Sequence, residues 1–279
     1  MANSISKQLQ FWADPRWLQI FLLSNFLIYG WIFLGWYGEL SIYLTAITSC
    51  LSTQYFFAYR LKLPNGSWKS SLISALGLCL LLKVNGWEWM ALAGFLTISS
   101  KFLLRTTSKH IFNPTNFGII ALMLLGQGWI SPGQWGSGEI IASLITLGAA
   151  IVLFGVNRWD VALTFLISLF LFESIRNIGW LGWSWDVVFH KFNSGTILLF
   201  AFFMITDPRT SPNKRSGRIL WGIMISVLSF GLSQFFYFYQ APLIALFLVS
   251  LSTPLIDKYF KSNPFQWNIH SLNTNTYEK

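Results

Sequence analysis

The chain has 279 residues, of which 54% are hydrophobic and 10% charged, with a mean hydropathy of +0.53. Soluble domains carry roughly 25% charged residues, so this composition excludes a soluble globule, a secreted soluble fold and a disordered chain. The net charge of +9 is not a nucleic-acid footprint, because the basic residues sit in short connectors between apolar runs, where positioning against a membrane explains them.

A spanning helix needs about 20 mainly apolar residues. In chain order the apolar runs predict ten spans: residues 17–36, 40–58, 70–85, 87–104, 114–130, 139–156, 159–177, 188–205, 218–234 and 241–256. The third is short, and the fifth opens on Asn113, Pro114 and Asn116. The first run starts near Trp17 with no small-residue cleavage site after it, so no signal peptide is predicted. With the N-terminus inside, Lys83, Arg176 and Lys191 are the only basic residues in outer segments, and the other sixteen of the 19 fall on the cytoplasmic side. That imbalance predicts both termini in the cytoplasm. Trp87 and Trp89 flank one span, and Trp180, Trp183 and Trp185 crowd one outer loop, as interfacial aromatics do. The expected fold class is all-α: a polytopic membrane protein of about ten transmembrane helices, with residues 1–260 as one membrane domain and 261–279 as a polar tail.

An internal recurrence suggests how the spans are organised. His110, Phe112, Asn113, Ser131 and Pro132 return as His190, Phe192, Asn193, Ser211 and Pro212, each 80 residues on. The associated helices are the fifth and eighth spans, which run antiparallel. This pattern reads as an inverted repeat of two five-helix halves, with helix N-termini near mid-membrane; ordinary helix capping by asparagine is the alternative.

Two stretches carry a family resemblance: Ser108 to Gly118, reading SKHIFNPTNFG, and Phe203 to Pro212, reading FMITDPRTSP, continuing through Gly217-Arg218. A weaker third is Ser252 to Asp257. Together they resemble the NqrB/RnfD family, membrane subunits of the sodium-translocating NADH:quinone oxidoreductase and of the Rnf electron-transport complex. The resemblance implies ten spans in two inverted halves, flavin cofactors, electron transfer coupled to ion movement, other membrane redox subunits as partners, and residence in a bacterial inner (plasma) membrane. Family members with covalent FMN attach it to a threonine in an outer-loop motif. The interval 157–188 holds no such motif, and its one threonine, Thr164, sits mid-span. Thr253-Pro254-Leu255 and Ser194-Gly195-Thr196 do not stand at the flavin-bearing position. The expectation is therefore a non-covalent flavin, FMN or riboflavin, and no covalent FMN.

Asn113 as cap and Pro114 at the first helical position suit a helix start. Arg105, Lys109 and His110 precede it, so a phosphate or carboxylate would be favoured there; positive-inside anchoring is the plainer reading. Asp207 ends the eighth span, where the helix dipole disfavours a carboxylate, so an ion pair with Arg209, Lys214, Arg215 or Arg218 is expected. Arg105, Lys109, His110, Asn113, Asn116, Asn193, Thr206 and Asp207 are thus the candidate cofactor-binding residues. Glu173 and Arg176, three apart, are expected to pair. Cys50 and Cys79 are expected at similar depth, either as packing residues or as half of an iron–sulfur site shared with a partner. No metal-ligand cluster, phosphate-binding loop or dinucleotide motif is present, so no self-contained catalytic site is expected. Three functions remain open from residues alone: an electron-transport subunit, a small-solute or ion transporter or channel on the same scaffold, and a scaffold for a partner subunit.

Overall fold

The computed structural model describes residues 14–36, 40–63, 68–106, 109–135, 145–148, 153, 157–263 and 265. Among them the regular structure is helical apart from two three-residue strands. Helix α1, Pro15–Phe33, starts where Asp14 accepts the Arg16 backbone N–H at 3.1 Å and Pro15 fills a position that needs no donor. Burial opposes the Asp14 charge, but hydrogen bonds from Arg16 and Lys69 hold its carboxyl down at about 2. Helix α2, Leu40–Arg60, is followed by α3, Trp68–Leu81, which gives way to strand β1, Leu82–Val84. Helix α4, Trp87–Leu103, precedes α5, Pro114–Leu124, which leads to strand β2, Gly128–Ile130.

In the second half, α6, Trp159–Ser174, runs on as a π-helical segment, Ile175–Trp180. The short helix α7, Trp185–Phe192, meets α8, Gly195–Met204, at 54°. Helix α9, Arg215–Phe235, is followed by α10, Ala241–Ser250, and α11, Thr253–Tyr259, bent from each other by 52°. Among the described residues two helices, Trp159–Trp180 and Arg215–Phe235, are long and apolar enough to cross a membrane, and the two bent pairs pass the same test jointly. Straight spans were expected at 188–205 and 241–256; both are broken. Pro254 lacks the N–H that would continue the α10 ladder. The predicted span 139–156 lies mostly outside the described residues, as does most of the tail beyond 260.

Helices α3 and α5 stop after 14 and 11 residues, about 21 and 16 Å at 1.5 Å per residue. Beyond them the chain continues as antiparallel strands whose backbone groups satisfy each other, paired Leu82 with Ile130, Lys83 with Trp129 and Val84 with Gly128. Gln134 donates from Nε2 to the Leu80 carbonyl at 2.6 Å, closing another helix-end acceptor.

The long helices pack as two similar pairs, α2 against α4 and α6 against α9, and each pair is extended by a short helix, α5 against α4 and α10 against α9. Both long crossings use a glycine and a serine. Gly94 of α4 lies against Ser49 and Cys50 of α2, and Gly222 of α9 against Thr164 and Val161 of α6. Ser49 Oγ donates to the Ala91 carbonyl at 2.7 Å, and Ser226 Oγ to the Phe165 carbonyl at 2.8 Å.

The cysteines do not share a depth. Cys79 donates to the carbonyl of Tyr43, at the start of α2, whereas Cys50 lies seven residues further along α2 and donates to the Gly94 carbonyl. Seven helical residues are roughly 10 Å. Both thiols are buried among packed helices. No group of three metal-ligating side chains occurs among the described residues.

Candidate functional site

The predicted cytoplasmic end of the bundle holds a cavity of about 330 Å³, enclosed by α1, α3, α4, α5, α8 and the connector 104–113. The connector is a narrow turn. Arg105 and His110 form a bridge, the Thr106 N–H donates to the Lys109 carbonyl at 2.9 Å, and the Ile111 N–H to the Leu104 carbonyl at 3.1 Å. This fold-back presents Arg105, Lys109 and His110 together, immediately before the α5 N-terminus.

Six of the eight predicted residues line the cavity: Arg105, Lys109, His110, Asn113, Thr206 and Asp207. Asn113 does two jobs. Its Oδ1 accepts the Asn116 N–H at 3.1 Å as the helix cap, and its Nδ2 donates to the Met204 carbonyl at 3.2 Å, with the Asp207 carboxylate 3.5 Å away. The start of α5 is therefore tied to the end of α8. Thr206 Oγ1 donates to the Phe202 carbonyl. Asn116 is fully buried behind the cavity wall, where its Nδ2 donates to the α10 carbonyl of Leu243 at 3.1 Å. Asn193 is exposed at the opposite end, capping α7, and takes no part in this site.

The partner of Asp207 differs from expectation. Among the described residues no cation lies within ion-pair distance of it. Its Oδ1 accepts the Arg209 backbone N–H at 3.0 Å, and its carbonyl accepts the N–H groups of Thr210 and Ser211. Burial pushes the Asp207 carboxyl above the usual range, against the opposing pull of Arg209 and Lys101. The cations expected for it go elsewhere. Arg218 grips Asp160 of α6 through Nε at 2.8 Å and Nη2 at 2.6 Å, and Arg215 stands 4.0 Å away. Asp160 opens α6, where a carboxylate suits the helix dipole, which is why it and not Asp207 holds the arginine.

Three further contacts fix the 207–214 connector. Arg218 Nη1 donates to the Asn213 carbonyl at 2.6 Å, Arg158 to the Pro212 carbonyl at 2.8 Å, and Lys109 to the Ser211 carbonyl at 2.5 Å. Lys109 also pairs with Asp257 of α11 at 2.8 Å, so its charge is largely spent within the protein. Burial lowers the Lys109 ammonium, and the Asp257 carboxylate opposes that shift.

Lys101 was missed as a site residue. It is 4% exposed and lines the cavity from α4. Its Nζ donates to Gln54 Oε1 at 3.0 Å and Ser70 Oγ at 3.3 Å, and among the described residues no carboxylate bonds to it. The signal was present, since Lys101 falls inside the predicted span 87–104, and an ionisable residue within a span is a functional indicator. Arg16 and Arg209 also face the cavity, while Leu23, Leu80, Leu199 and Phe202 give it an apolar wall. The result is an amphipathic chamber with a cationic mouth.

His110 is neutral at physiological pH. Burial, with the charges of Lys101 and Arg209, pushes its imidazole down to about 4. An unfolded imidazole takes up its proton near 6.5, so between those values the unfolded state binds more protons and stability falls as pH falls. Thermal unfolding of the detergent-solubilised protein is expected to show a Tm that drops from pH 6.5 to 4.5, and His110→Gln is expected to flatten that slope.

At the other end, Glu173 does not pair with Arg176. The π-helical segment changes which residues face it, so Asn177 donates to Glu173 at 3.0 Å while Arg176 donates to the side-chain oxygen of Asn177. Lys191 of α7 supplies the ion pair.

The chain is similar to known proteins over about half of its length. The family described as NQR2, RnfD, RnfE matches residues 125–266, just over half of the chain. Thr206, Asp207 and Arg209 lie within that stretch, and the 104–116 segment precedes it. The D subunit of the ion-translocating oxidoreductase complex in Erwinia tasmaniensis is 33% identical over 158 residues, covering 55% of this chain and 40% of that protein. Its namesake in Escherichia fergusonii is 30% identical over 145 residues, covering 51% and 38%, and that in Shewanella loihica is 30% identical over 133 residues, covering 47% and 38%. The matches span about two fifths of the length of these curated relatives. With half its length matched and its apolar broken helices arranged around a shared core, the chain belongs to the NQR2, RnfD, RnfE family.

Proposed function

We propose that this chain is an integral membrane subunit of an electron-transport complex that couples electron flow to ion translocation, and that its cavity holds a non-covalent flavin. The observation that carries the reading is the convergence of Lys101, Arg105, Arg209 and the α5 N-terminus on a chamber that also has apolar walls, from Leu23, Leu80, Leu199 and Phe202, beside hydroxyl and amide groups of Gln19, Ser70, Ser74 and Thr115. The residues present fit such a group. An anionic tail is served by the three cations and by the positive end of the α5 dipole, where the Thr115 N–H is the one first-turn donor not taken by Asn113. A flat apolar ring is served by Leu80, Leu199 and Phe202, and the Asp207 carboxylate and the unpartnered His110 Nδ1 offer polar contacts to its edge. A bound flavin would supply one- and two-electron transfer. This chain's residues bind it, orient it and keep lipid and water from it. NADH oxidation belongs to another chain, since no dinucleotide motif occurs here.

The same reading places ten spans in two inverted halves in a bacterial inner membrane, with both termini cytoplasmic. Support comes from packing. The α2/α4/α5 set is matched by α6/α9/α10, five predicted spans later and hence reversed in the membrane. Short or broken helices occupy corresponding places in each half: α3 with β1 and α5 with β2, then α7–α8 and α10–α11. The repeat thus pairs the fifth predicted span with the tenth and not with the eighth. In transporter folds such broken helices line the ligand site.

An absorption spectrum of the purified protein tests the proposal. Flavin bands are expected, with the chromophore released into the supernatant on denaturation and no in-gel fluorescence remaining on the polypeptide. Flavin-free protein that carries an ion or small-solute flux in reconstituted vesicles would instead favour a transporter on this scaffold.

A further inference from the structure

We propose that Glu173, Ser233 and Gln234 form a monovalent-cation site at the outer end of the second half, in which the Lys191 ammonium is a displaceable internal occupant. The inference rests on the ion-coupled reading above and on its placement of this end outside. Glu173 is 1% exposed on a helix long and apolar enough to span, and such a carboxylate is functional by default. Polar side chains from three elements converge on it. Lys191 Nζ contacts its Oε1 at 2.5 Å and Ser233 Oγ at 3.4 Å, Gln234 Nε2 reaches both carboxylate oxygens at 3.0 Å, and Asn177 Nδ2 reaches Oε2 at 3.0 Å.

Two observations point to exchange and not to a static strut. The Lys191 side chain is 31% exposed while that of Glu173 is 1% exposed, so the ammonium reaches the sealed carboxylate from a side open to the surroundings. It also stands in the last turn of the eight-residue helix α7, joined to α8 at a 54° break through Asn193 and Ser194. The lysine can therefore swing out without disrupting a long helix. The π-helical segment that presents Asn177 is the kind of helix irregularity found at functional sites.

An ammonium held by carboxylate and hydroxyl oxygens makes the same demand as an alkali cation. When it leaves, a flip of the Gln234 amide turns its oxygen inward as a further ligand. A single carboxylate matches a single positive charge, whereas Ca²⁺ takes about 6–8 oxygen ligands, usually with more carboxylates.

The test follows modification of Lys191 by an amine-reactive reagent, read by mass spectrometry on the full-length detergent-solubilised protein. Sodium chloride is expected to speed modification several-fold over tetramethylammonium chloride of equal ionic strength, a cation with no reactive amine, and Glu173→Gln is expected to make it fast in both. Equal rates in the two salts for the wild-type protein would overturn the proposal. A second measurement uses Lys191→Met, whose Tm is expected to rise in sodium or potassium salt but not in N-methylglucamine, with the rise absent from Glu173→Gln/Lys191→Met. A Tm indifferent to the cation, or a rise that survives loss of Glu173, sinks the idea. Labelling of intact cells with an impermeant reagent reports the placement separately: protection of Lys191 from outside would count against the topology while leaving the salt dependence in detergent to judge the site.

Discussion

Asp160→Asn is expected to lower stability by about 3–5 kcal/mol, the range for removing one partner of a buried ion pair. Asp160 is 5% and Arg218 12% exposed. Asparagine keeps one acceptor oxygen but removes the charge and turns an NH2 donor towards the Arg218 guanidinium, which loses the bidentate grip it cannot recover from lipid or packed helix. The damage spreads, because Arg218 also holds the Asn213 carbonyl and so anchors the 207–214 connector that carries Asp207 and Arg209 to the cavity. Thermal unfolding in detergent should therefore show a large loss of Tm together with weaker ligand retention. Arg215→Ala serves as the control. That side chain is 65% exposed and 4.0 Å from Asp160, so less than about 1 kcal/mol is expected. A small effect of Asp160→Asn would mean that the connector is held by Lys109 and Arg158 alone.

Lys101→Met is expected to separate binding from folding. A charge-assisted hydrogen bond to an anion is worth about 1.5–3 kcal/mol, so the variant should bind the cavity ligand roughly tenfold to a hundredfold more weakly. The unusual part is stability. Lys101 has amide and hydroxyl partners but no carboxylate, so methionine keeps the apolar stem and strands no opposite charge. Replacing buried ionic groups with apolar ones of similar volume is often neutral or stabilising. An unchanged or raised Tm with flavin absent from the purified protein is the expected pair of results. A lowered Tm with flavin retained would assign Lys101 to structure.

Much of this was readable from residue order, and the failures have physical causes. The boundaries of α2, α4 and α9 follow apolar runs ended by basic or turn residues, which is what hydropathy detects. The breaks after Phe192 and Ser250 were invisible, because a window of 20 residues averages across a kink that Asn193 and Pro254 impose locally. Asp207 and Glu173 do need partners, as their positions in the chain imply, but Asp207 takes the local Arg209 backbone N–H in place of a cation, and Glu173 takes Lys191 from another helix, neither of which sequence spacing can rank. The cluster of Arg105, Lys109, His110 and Asn113 was legible because it is local. A charge inside a predicted span marked Lys101, but that Lys101 and Arg209 complete this cluster was not legible, since it depends on how α4 and the 207–214 connector approach α5.

The β1–β2 ladder has a consequence for biogenesis. Neither short helix that leads into it is long enough to satisfy a bilayer about 30 Å thick, and strands left unpaired there would expose bare peptide groups to hydrocarbon. The Leu82–Val84 segment must therefore wait for the ribosome to deliver Gly128–Ile130 before it has a mate. Release of this region from the insertion machinery is consequently a joint event for both segments, and a truncation before Gly128 should be retained or degraded.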